Sequence, residues 1–276
     1  MNEDETEAKE TMEGKVKVSS VQMHVVDNDL EANMKKAEEM AMRIHDREKD
    51  VDLILYHECC LEGGIPLDSI DEDITRRVME FWSNLAKKCG SHILAGRLER
   101  KPEGIYNKAT VFNPQGEVIA DYAKIHLFNS ERDTILPGDQ LSVFTINGMR
   151  IGIMICADFG FPELARKYAT SGKVDVLAVS SSWAYPDDDL WDICNRARSA
   201  ENACYVVSVD RVGPTCRGNV KVGRSMVCDP NGFIIANLVE KEDIYFVADL
   251  YKSEVDDRRK EMKWLEWIRP EVYAAM

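Results

Sequence analysis

Three residues of chemically useful types lie next to apolar, strand-like segments of the chain: Glu58, Lys124 and Cys156. Cys156 follows the apolar run Arg150 to Ile155 and precedes a predicted helix with proline in its first turn. Unpaired backbone N–H groups and the positive end of a helix dipole can stabilise a thiolate at such a junction. The position favours a cysteine nucleophile, although most reduced cysteines are buried structural residues.

Glu58 comes soon after the run Asp52 to Tyr56, whose apolar character is typical of a strand buried on both faces. A carboxylate at this place is costly to desolvate unless it is paired or takes part in chemistry. Burial is expected to raise the pKa of Glu58 toward neutrality. The group can then take a thiol proton, give it to a departing amine and later activate water. A glutamate that caps an element or forms a salt bridge is the structural alternative.

Lys124 lies between the strand-like segment Val118 to Tyr122 and the apolar residues Ile125 to Phe128. Taken alone, a lysine is more often a surface residue. An ammonium that emerges from apolar surroundings can, however, stabilise the oxyanion formed when a nucleophile attacks an amide or a nitrile. Loss of one such donor typically costs about 10²–10³ in rate.

Alternating strands and helices must position these three residues. The chain shows neither a solenoid repeat nor a Pro/Gly/Ser-rich linker, which favours one α/β domain over residues 14–276 after a flexible acidic tail, residues 1–13. A mixed sheet is predicted because residues 105–123 hold strands without an intervening helix. The predicted helices follow residues 27–29, span 72–89 and 190–202, and begin at 161. The predicted strands are 16–24, 52–56, 91–99, 106–112, 118–122, 150–155, 174–180, 203–210, 224–227, 233–237 and 245–249.

Composition excludes several classes of partner. A net charge of −14 over 276 residues disfavours nucleic acid or an anionic membrane. No segment approaches the ~20 apolar residues of a membrane span, and no basic region followed by an apolar one begins the chain, so a cytoplasmic protein is expected. The eight cysteines form no CxxC pair and are expected to be reduced thiols. No metal site is expected, because the five histidines are scattered.

Several segments, in this order along the chain, resemble the signature segments of the nitrilase superfamily, also called the carbon-nitrogen hydrolases. They are LILYHE, DYAKIHLF, LPGD and GIMICADFGFPELAR. Further matches are VQM, RARSAENACYVVSVDRVG and GRSMVCDPNG, so the resemblance covers roughly residues 16–273. Single motifs are moderately specific, whereas their joint occurrence in order is highly specific.

The resemblance implies a Glu-Lys-Cys triad formed by Glu58, Lys124 and Cys156. It implies that Glu131 orients the lysine and the substrate, and that the backbone N–H of Ala157 joins Lys124 in the oxyanion hole. The implied fold is α/β, a nitrilase-like α-β-β-α sandwich with mixed sheets. Its subunits would pair through helical faces as a homodimer or higher homo-oligomer, and no cofactor is required.

The chain departs from the family pattern beside the first triad residue. His57 stands where relatives often have proline, and the unusual pair Cys59-Cys60 follows Glu58. A rival mechanism would use His57 to activate Cys156, as in Cys-His hydrolases. Adjacent residues on a strand point to opposite faces, however, so His57 should point away from the side of Glu58.

Residues around the predicted triad do not identify the substrate. Ala157-Asp158-Phe159-Gly160 follows the nucleophile, where relatives often carry an aromatic, then an acidic and a basic residue, and this departure would reshape the pocket. His126 is expected to make a structural hydrogen bond. Trp183 and Tyr185 are candidate substrate-binding residues beside the acidic segment Asp187 to Asp189. That segment is either a solvated loop or a pocket wall that favours a cationic or amine-bearing substrate.

The predicted function is hydrolysis of a non-peptide C–N bond in a small-molecule amide or ureido substrate. An amidase that releases ammonia through a cysteine thioester is the first hypothesis. An N-carbamoyl-amine hydrolase, which also releases carbon dioxide, is the alternative, followed by a nitrilase. A hypothesis of a different class is a catalytically silent binding protein on the same scaffold. A redox function is disfavoured because Cys59 and Cys60 are too close for an unstrained disulfide.

Overall fold

The computed structural model describes residues 14–239 and 241–273, so the predicted tail 1–13 lies outside the described residues. The helices, labelled α1 to α7 in chain order, are Leu30–Arg47, Glu72–Cys89, Pro162–Lys167, Asp188–Asn202, Lys252–Glu261, Trp264–Trp267 and Pro270–Tyr273. The strands, labelled β1 to β14, are Lys15–Gln22, Leu53–Tyr56, His92–Lys101, Gly104–Phe112, Val118–Ala123, Val143–Ile146, Met149–Ile155, Val176–Ser181, Tyr205–Asp210, Val212–Pro214, Val220–Val222, Met226–Cys228, Ile234–Asn237 and Ile244–Tyr251.

Most of the strands form two six-stranded sheets. The strand order is β14-β1-β2-β3-β4-β5 in the first sheet and β13-β12-β9-β8-β7-β6 in the second. Strands β1, β2 and β3 run parallel in the first sheet, as do β7, β8 and β9 in the second, and the outer strands pair antiparallel. Both sheets are therefore mixed, as predicted. Strands β10 and β11 form a separate hairpin.

The alternation of side chains along each strand builds three apolar layers. In β2, Leu53 and Leu55 point between the two sheets, whereas Ile54 and Tyr56 pack against α1 and α2. A third cluster joins the outer face of the second sheet to α3 and α4. Since β2 is buried on both faces, its sequence is apolar throughout. The layers form the expected α-β-β-α sandwich.

The two long helices of the first layer begin and end at residues suited to those positions. Asp29 accepts a hydrogen bond from the Ala32 N–H at 2.9 Å, and Asp71 accepts one from the Ile74 N–H at 2.8 Å. Helix α2 ends at Gly90, whose φ of +64° lies in the left-handed region that favours glycine. Its bounds match the prediction. No helix within residues 14–239 and 241–273 is both long and apolar enough to cross a membrane.

Several elements are absent from the sequence prediction. They are strand β6, the hairpin β10–β11 and the C-terminal helices α5 to α7. The hairpin strands are only three residues long and include a glycine, a proline and a lysine, so they lack the alternation of a typical strand. The acidic residues predicted as a loop also differ, because Asp188 already begins α4.

The central strands bring the candidate residues to one end of the sandwich. Glu58 comes soon after β2 in one sheet, and Cys156 directly follows β7 in the other. The Ser180 hydroxyl donates a hydrogen bond to the Tyr56 carbonyl oxygen at 2.9 Å, which joins the two sheets at this end. Lys124 directly follows β5 of the first sheet.

Candidate active site

Lys124 lies at the centre of a buried cluster of charged groups. Its Nζ donates to Glu58 Oε1 at 2.7 Å and to Glu131 Oε2 at 2.8 Å. The side chains of Lys124 and Glu58 are only 1% and 7% exposed. Burial acts against a charged lysine, but the negative charges of Glu58 and Glu131 raise the pKa of Lys124 well above its ordinary value. Lys124 is therefore an ammonium held between two carboxylates.

The pKa of Glu58 is lower than that of an ordinary glutamate. Burial raises this pKa, but the Lys124 ammonium and a hydrogen bond from Asn107 lower it by more. The expectation of a raised pKa is therefore wrong, because the opposite charge outweighs desolvation. Glu58 is a carboxylate at neutral pH and is ready to accept a proton.

Asn107, on β4, is a member of the cluster that the sequence analysis missed. Its side-chain N–H groups donate to Glu58 Oε1 at 2.7 Å and to Glu131 Oε1 at 3.1 Å. Its backbone carbonyl accepts the Lys124 N–H at 2.9 Å. The sequence feature that could have identified Asn107 is its position inside a predicted strand, where asparagine is rare. Asn107 positions both glutamates on the lysine.

Strand β3 lies close to the backbone of Glu58 because residue 96 is a glycine. A Cβ atom added at Gly96 on β3 would lie 2.6 Å from the Cα of Glu58 and 2.6 Å from the carbonyl oxygen of His57. Any side chain at this position would have to displace the backbone of the Glu58 segment. Gly96 therefore allows the carboxylate to lie where Lys124 can reach it.

Cys156 has a backbone conformation that few residues other than glycine adopt. Its φ is +44°, which typically costs about 1–3 kcal/mol and is often found at functional sites. A short 3₁₀ turn, Cys156–Gly160, separates it from α3, which begins at Pro162, one residue after the predicted start. Burial, and next the charge of Glu58, raise the pKa of Cys156 to about 12. The resting group is a thiol rather than the stabilised thiolate expected from its position.

Asp158 ties the turn after the nucleophile to the segment that carries Lys124. Its Oδ1 accepts the backbone N–H of His126 at 2.8 Å, and its Oδ2 accepts the Tyr122 hydroxyl at 2.8 Å. Oδ2 also accepts the Ile155 N–H at 3.1 Å. The His126 ring nitrogen Nδ1 lies 2.9 Å from Oδ1, so His126 has the structural hydrogen bond expected of it. These bonds fix the relative positions of lysine and nucleophile.

The backbone beside Cys156 contains the predicted second oxyanion donor, the N–H of Ala157. Ala157 is partly exposed and occupies the first turn of the 3₁₀ segment, where backbone N–H groups have no acceptor within their own helix. The backbone of Ser182 also lies near the cysteine and acts on its sulfur as a hydrogen-bond donor. The assignment of Ala157 to the oxyanion hole stays a prediction.

His57 is buried and neutral. Burial lowers its pKa to about 3, and its Nδ1 lies 3.1 Å from the carbonyl oxygen of Glu58. In the parts of the chain that the structure describes, no hydrogen bond joins His57 to Cys156. Glu58, not His57, is the charged group whose field acts most strongly on the cysteine. The geometry favours glutamate over histidine as the base.

Trp183 and Tyr185 lie on the segment that follows Ser182. The Trp183 ring packs at 5.5 Å from the ring of Trp191, and its indole N–H donates to the backbone of Asp187. The Tyr185 hydroxyl accepts a hydrogen bond from Lys241. Both side chains are partly exposed, so their role in substrate binding stays a prediction.

Two acidic residues in the first half of α4 are already paired with a cation. Arg224 forms ion pairs with Asp188 at 3.2 Å and with Asp192 at 3.0 Å. Asp187 occupies the N-cap position of α4, and Asp188 and Asp189 lie in its first turn, where negative charge suits the helix dipole. These contacts explain the acidic segment by helix formation rather than by attraction of a cationic substrate.

Comparison with known proteins agrees with the geometry. A sequence model of the carbon-nitrogen hydrolase family matches residues 17–260. The chain is 30% identical over 261 residues to the 2-oxoglutaramate amidase of Bacillus subtilis, covering 93% of this chain and 98% of that protein. It is 32% identical over 246 residues to a nitrilase of Pyrococcus abyssi, covering 85% of this chain and 89% of that protein.

Solved structures share the fold. Nit3 of Saccharomyces cerevisiae, a member of the nitrilase superfamily, matches with a TM-score of 0.81 and 26% identity, over 90% of this chain and 94% of its own. An amidase from Nesterenkonia matches with a TM-score of 0.84 and 22% identity, over 94% of this chain and 96% of its own. That structure shows covalent addition of the acetamide moiety of fluoroacetamide at the active-site cysteine.

Proposed function

The chain belongs to the carbon-nitrogen hydrolase family, and from this premise we propose that it is an amidase that cleaves a small linear amide and releases ammonia. The observation that carries the proposal is the Lys124 ammonium, held between Glu58 and Glu131 beside Cys156. A base, a cation for the oxyanion and a thiol nucleophile then occupy one partly accessible site. The amidase name of the Bacillus subtilis relative supports the same reaction.

In the first half-reaction, Glu58 takes the proton of the Cys156 thiol as the sulfur attacks the amide carbon. A C–S bond forms, and the carbonyl oxygen becomes an oxyanion that accepts hydrogen bonds from Lys124 and from the N–H of Ala157. The C–N bond then breaks while Glu58 returns the proton to nitrogen, and ammonia leaves. Because the pKa of Cys156 is about 12 at rest, thiol deprotonation must accompany attack.

In the second half-reaction, water attacks the thioester carbon and gives a proton to Glu58. A second oxyanion forms at the same donors, the C–S bond breaks, and the proton on Glu58 returns to the Cys156 sulfur. The products are a carboxylic acid and the restored thiol. Glu131 and Asn107 act as positioning residues, since each holds Lys124 or Glu58 in place.

Ammonia release over a panel of linear amides, ureido acids and nitriles tests the proposal. We expect at least one amide to be hydrolysed and Cys156→Ala to release none above background. Carbon dioxide released together with ammonia would indicate an N-carbamoyl-amine hydrolase instead, and turnover of nitriles alone would indicate a nitrilase. Full turnover by Cys156→Ala would rule out the thioester mechanism.

Two broader properties are part of the proposal. A cytoplasmic location is supported by the eight cysteines, all of which are free thiols, as suits a reducing compartment. A homodimer is supported by apolar side chains on or near the outer face of α4, where Ile193 and Phe233 are 61% and 64% exposed. Light scattering is expected to give at least twice the chain mass of 31.3 kDa. A monomeric mass would contradict the dimer.

A further inference from the structure

The segment that follows β8, residues 182–185, runs beside the nucleophile. Ile155 pairs with Ser180 in the parallel strands β7 and β8. Cys156, the next residue, therefore comes level with Ser181 on the neighbouring strand, at a strand spacing of ~4.8 Å. The register of the second sheet thus brings the 182–185 segment to the edge of the site.

Asp210 lies on the other side of Ser181, at the end of β9. Ser181 and Asp210 pair in the parallel strands β8 and β9. Asp210 Oδ1 accepts the backbone N–H of Trp183 at 2.6 Å. Its Oδ2 accepts the backbone N–H of Gly223 at 3.0 Å, on the chain that returns from the hairpin β10–β11. One carboxyl group therefore holds both the 182–185 segment and the hairpin.

The 182–185 segment and the hairpin are also joined to each other. Lys221 on β11 forms an isolated antiparallel bridge with Ala184 and donates a hydrogen bond to the Ser182 carbonyl oxygen. The next residue, Val222, donates its N–H to the Trp183 carbonyl oxygen at 3.1 Å. The two parts thus form one unit, the hairpin side of the site, and a shift of either part moves the other.

The backbone of Asp210 is itself anchored to both sheets. Its N–H donates to the Ser225 hydroxyl at 3.0 Å, and the Ser225 N–H donates to Gln22 Oε1 at 3.2 Å, on β1 of the first sheet. A Cβ atom added at Gly223, whose φ is +66°, would lie 2.9 Å from the same Gln22 oxygen. Asp210 therefore sits at a fixed point from which it can hold the hairpin side in place.

The hydrogen bonds of Asp210 require two acceptor atoms. The residue is 0% exposed, and burial raises the pKa of Asp210 well above its ordinary value. A carboxyl oxygen keeps a lone pair for an N–H donor whether or not the group is ionised, whereas the NH₂ group of asparagine only donates. Asp210→Asn would therefore set an amide N–H against the N–H of Trp183 or of Gly223.

We propose that Asp210 is a positioning residue of the active site, which holds the 182–185 segment and the hairpin where the amide substrate binds beside Cys156. This inference rests on the proposed amidase function. Because its side chain is buried, Asp210 acts through the backbone of Trp183 and Gly223. The base and the lysine of the triad follow strands of the other sheet. Loss of Asp210 should therefore weaken substrate binding more than it slows the chemistry.

Asp210→Asn tests the inference with the amide of the panel that the native protein hydrolyses best. We expect KM to rise by about 10- to 30-fold while kcat changes by less than about threefold, because contacts made equally in the ground and transition states are lost. A variant that is merely less stable would not show this split between KM and kcat.

Asp175→Asn is the matched control. Asp175 is 2% exposed, and its Oδ2 accepts the Arg150 N–H at 2.9 Å, but it directly precedes β8 and so lies at the opposite end of the same sheet. This variant should lose stability and keep KM within about twofold of the native value. An equal rise of KM in Asp175→Asn would overturn the inference.

A milder variant keeps the inference testable if Asp210→Asn does not fold. Ser225→Ala removes the hydroxyl that accepts the Asp210 N–H, and we expect KM to rise by about two- to fivefold at unchanged kcat. Circular dichroism checks that each variant is folded. An unchanged KM in folded Asp210→Asn, or in Ser225→Ala if Asp210→Asn is unfolded, would overturn the inference.

Alkylation of Cys156 keeps the two proposals separable. Iodoacetamide is itself a small amide, and peptide mass analysis measures its rate of reaction at Cys156 without any turnover. We expect Asp210→Asn to react about 3- to 10-fold more slowly than the native protein, and Asp175→Asn to react at the native rate. If the native protein hydrolyses no amide, the proposed function fails. Equal alkylation rates in the native protein and Asp210→Asn would overturn the positioning role alone.

Discussion

The catalytic side of the site and its hairpin side are built in opposite ways. On the catalytic side, Glu58, Lys124 and Glu131 are joined to one another at 2.7 and 2.8 Å, beyond the ends of strands in the core of a sandwich. On the hairpin side, Lys221 is carried by a three-residue strand and has no carboxylate partner among the described residues. The charges on the catalytic side therefore hold one another in place. The charge on the hairpin side is held only by the backbone carbonyl of Ser182.

The largest expected effect comes from removing the base on the catalytic side. Glu58→Gln keeps the size of the side chain and its place beside Lys124 but cannot take the thiol proton. We expect kcat to fall by about 10²–10⁴-fold for every amide that the native protein hydrolyses. Steady-state kinetics measures the loss, and intact-mass analysis should reveal acyl adducts on Cys156 if hydrolysis of the thioester becomes limiting.

A second buried glutamate is the control for this change. Glu62 is 1% exposed and accepts the Leu98 N–H at 2.9 Å, away from the lysine cluster. Glu62→Gln should leave kcat within about threefold of the native value, because less than 1 kcal/mol of transition-state stabilisation is at stake. A loss of less than tenfold in Glu58→Gln would contradict the assignment of the base.

The positioning residue Asn107 is expected to have the next largest effect. Asn107→Ala removes the N–H donors of Glu58 and Glu131, and we expect a fall in kcat of about 10- to 100-fold. The lost donor also helps to lower the pKa of Glu58, so the acid limb of the kcat/KM profile should move to higher pH. A pH profile of kcat/KM checks this. A lower kcat without that shift would indicate general misfolding of the site.

The difference between the two sides also explains what the sequence could predict. Long apolar runs such as those of β2 and β7 indicate buried strands, and a charged or nucleophilic residue soon after each run is conspicuous. Hairpin β10–β11 has strands of three residues and no periodicity, so Lys221 looked like any surface lysine. Sequence patterns reveal elements that bury a run of apolar residues, whereas each strand of this hairpin buries a single valine, Val212 or Val222.

Sequence patterns could not predict the directions in which the pKa values on the catalytic side are shifted. Burial alone predicted a raised pKa for Glu58, and helix position alone predicted a stabilised Cys156 thiolate. The direction for Glu58 reverses because Glu58 lies 2.7 Å from Lys124, and the direction for Cys156 reverses because burial, and next the charge of Glu58, favour the thiol. Asn107 was missed for a similar reason. Partners brought together from distant parts of the chain determine which effect is larger, and only the fold reveals them.

The neutral, buried His57 on the catalytic side should make the free energy of unfolding of the protein sensitive to acid. Its pKa is about 3 in the folded protein and about 6.5 when unfolded, so the unfolded chain binds more protons between these values. The free energy of unfolding contributed by His57 is therefore present above pH 6.5 and is lost as the pH falls. We expect a loss of about 2 kcal/mol at pH 5. Urea unfolding at pH 7 and pH 5 measures it.

A neutral replacement isolates this contribution. His57→Gln should reduce the difference in unfolding free energy between pH 7 and pH 5 by the same amount, whereas His24→Gln, at a partly exposed histidine, should not. An unchanged pH dependence in His57→Gln would assign the acid sensitivity to other groups. If His57 were instead the base for Cys156, its replacement would abolish activity at every pH.

Salt is the mildest way to separate the two sides. Dissolved ions screen a partly exposed charge such as Lys221 more than the buried pair formed by Lys124 and Glu58, whose side chains are 1% and 7% exposed. Between about 50 and about 500 mM NaCl, we expect kcat/KM for a neutral amide to change by less than about twofold, both in the native protein and in Lys221→Met. A larger fall in the native protein would mean that ions reach the catalytic charges, and the contrast between a buried centre and a partly exposed edge would then be wrong.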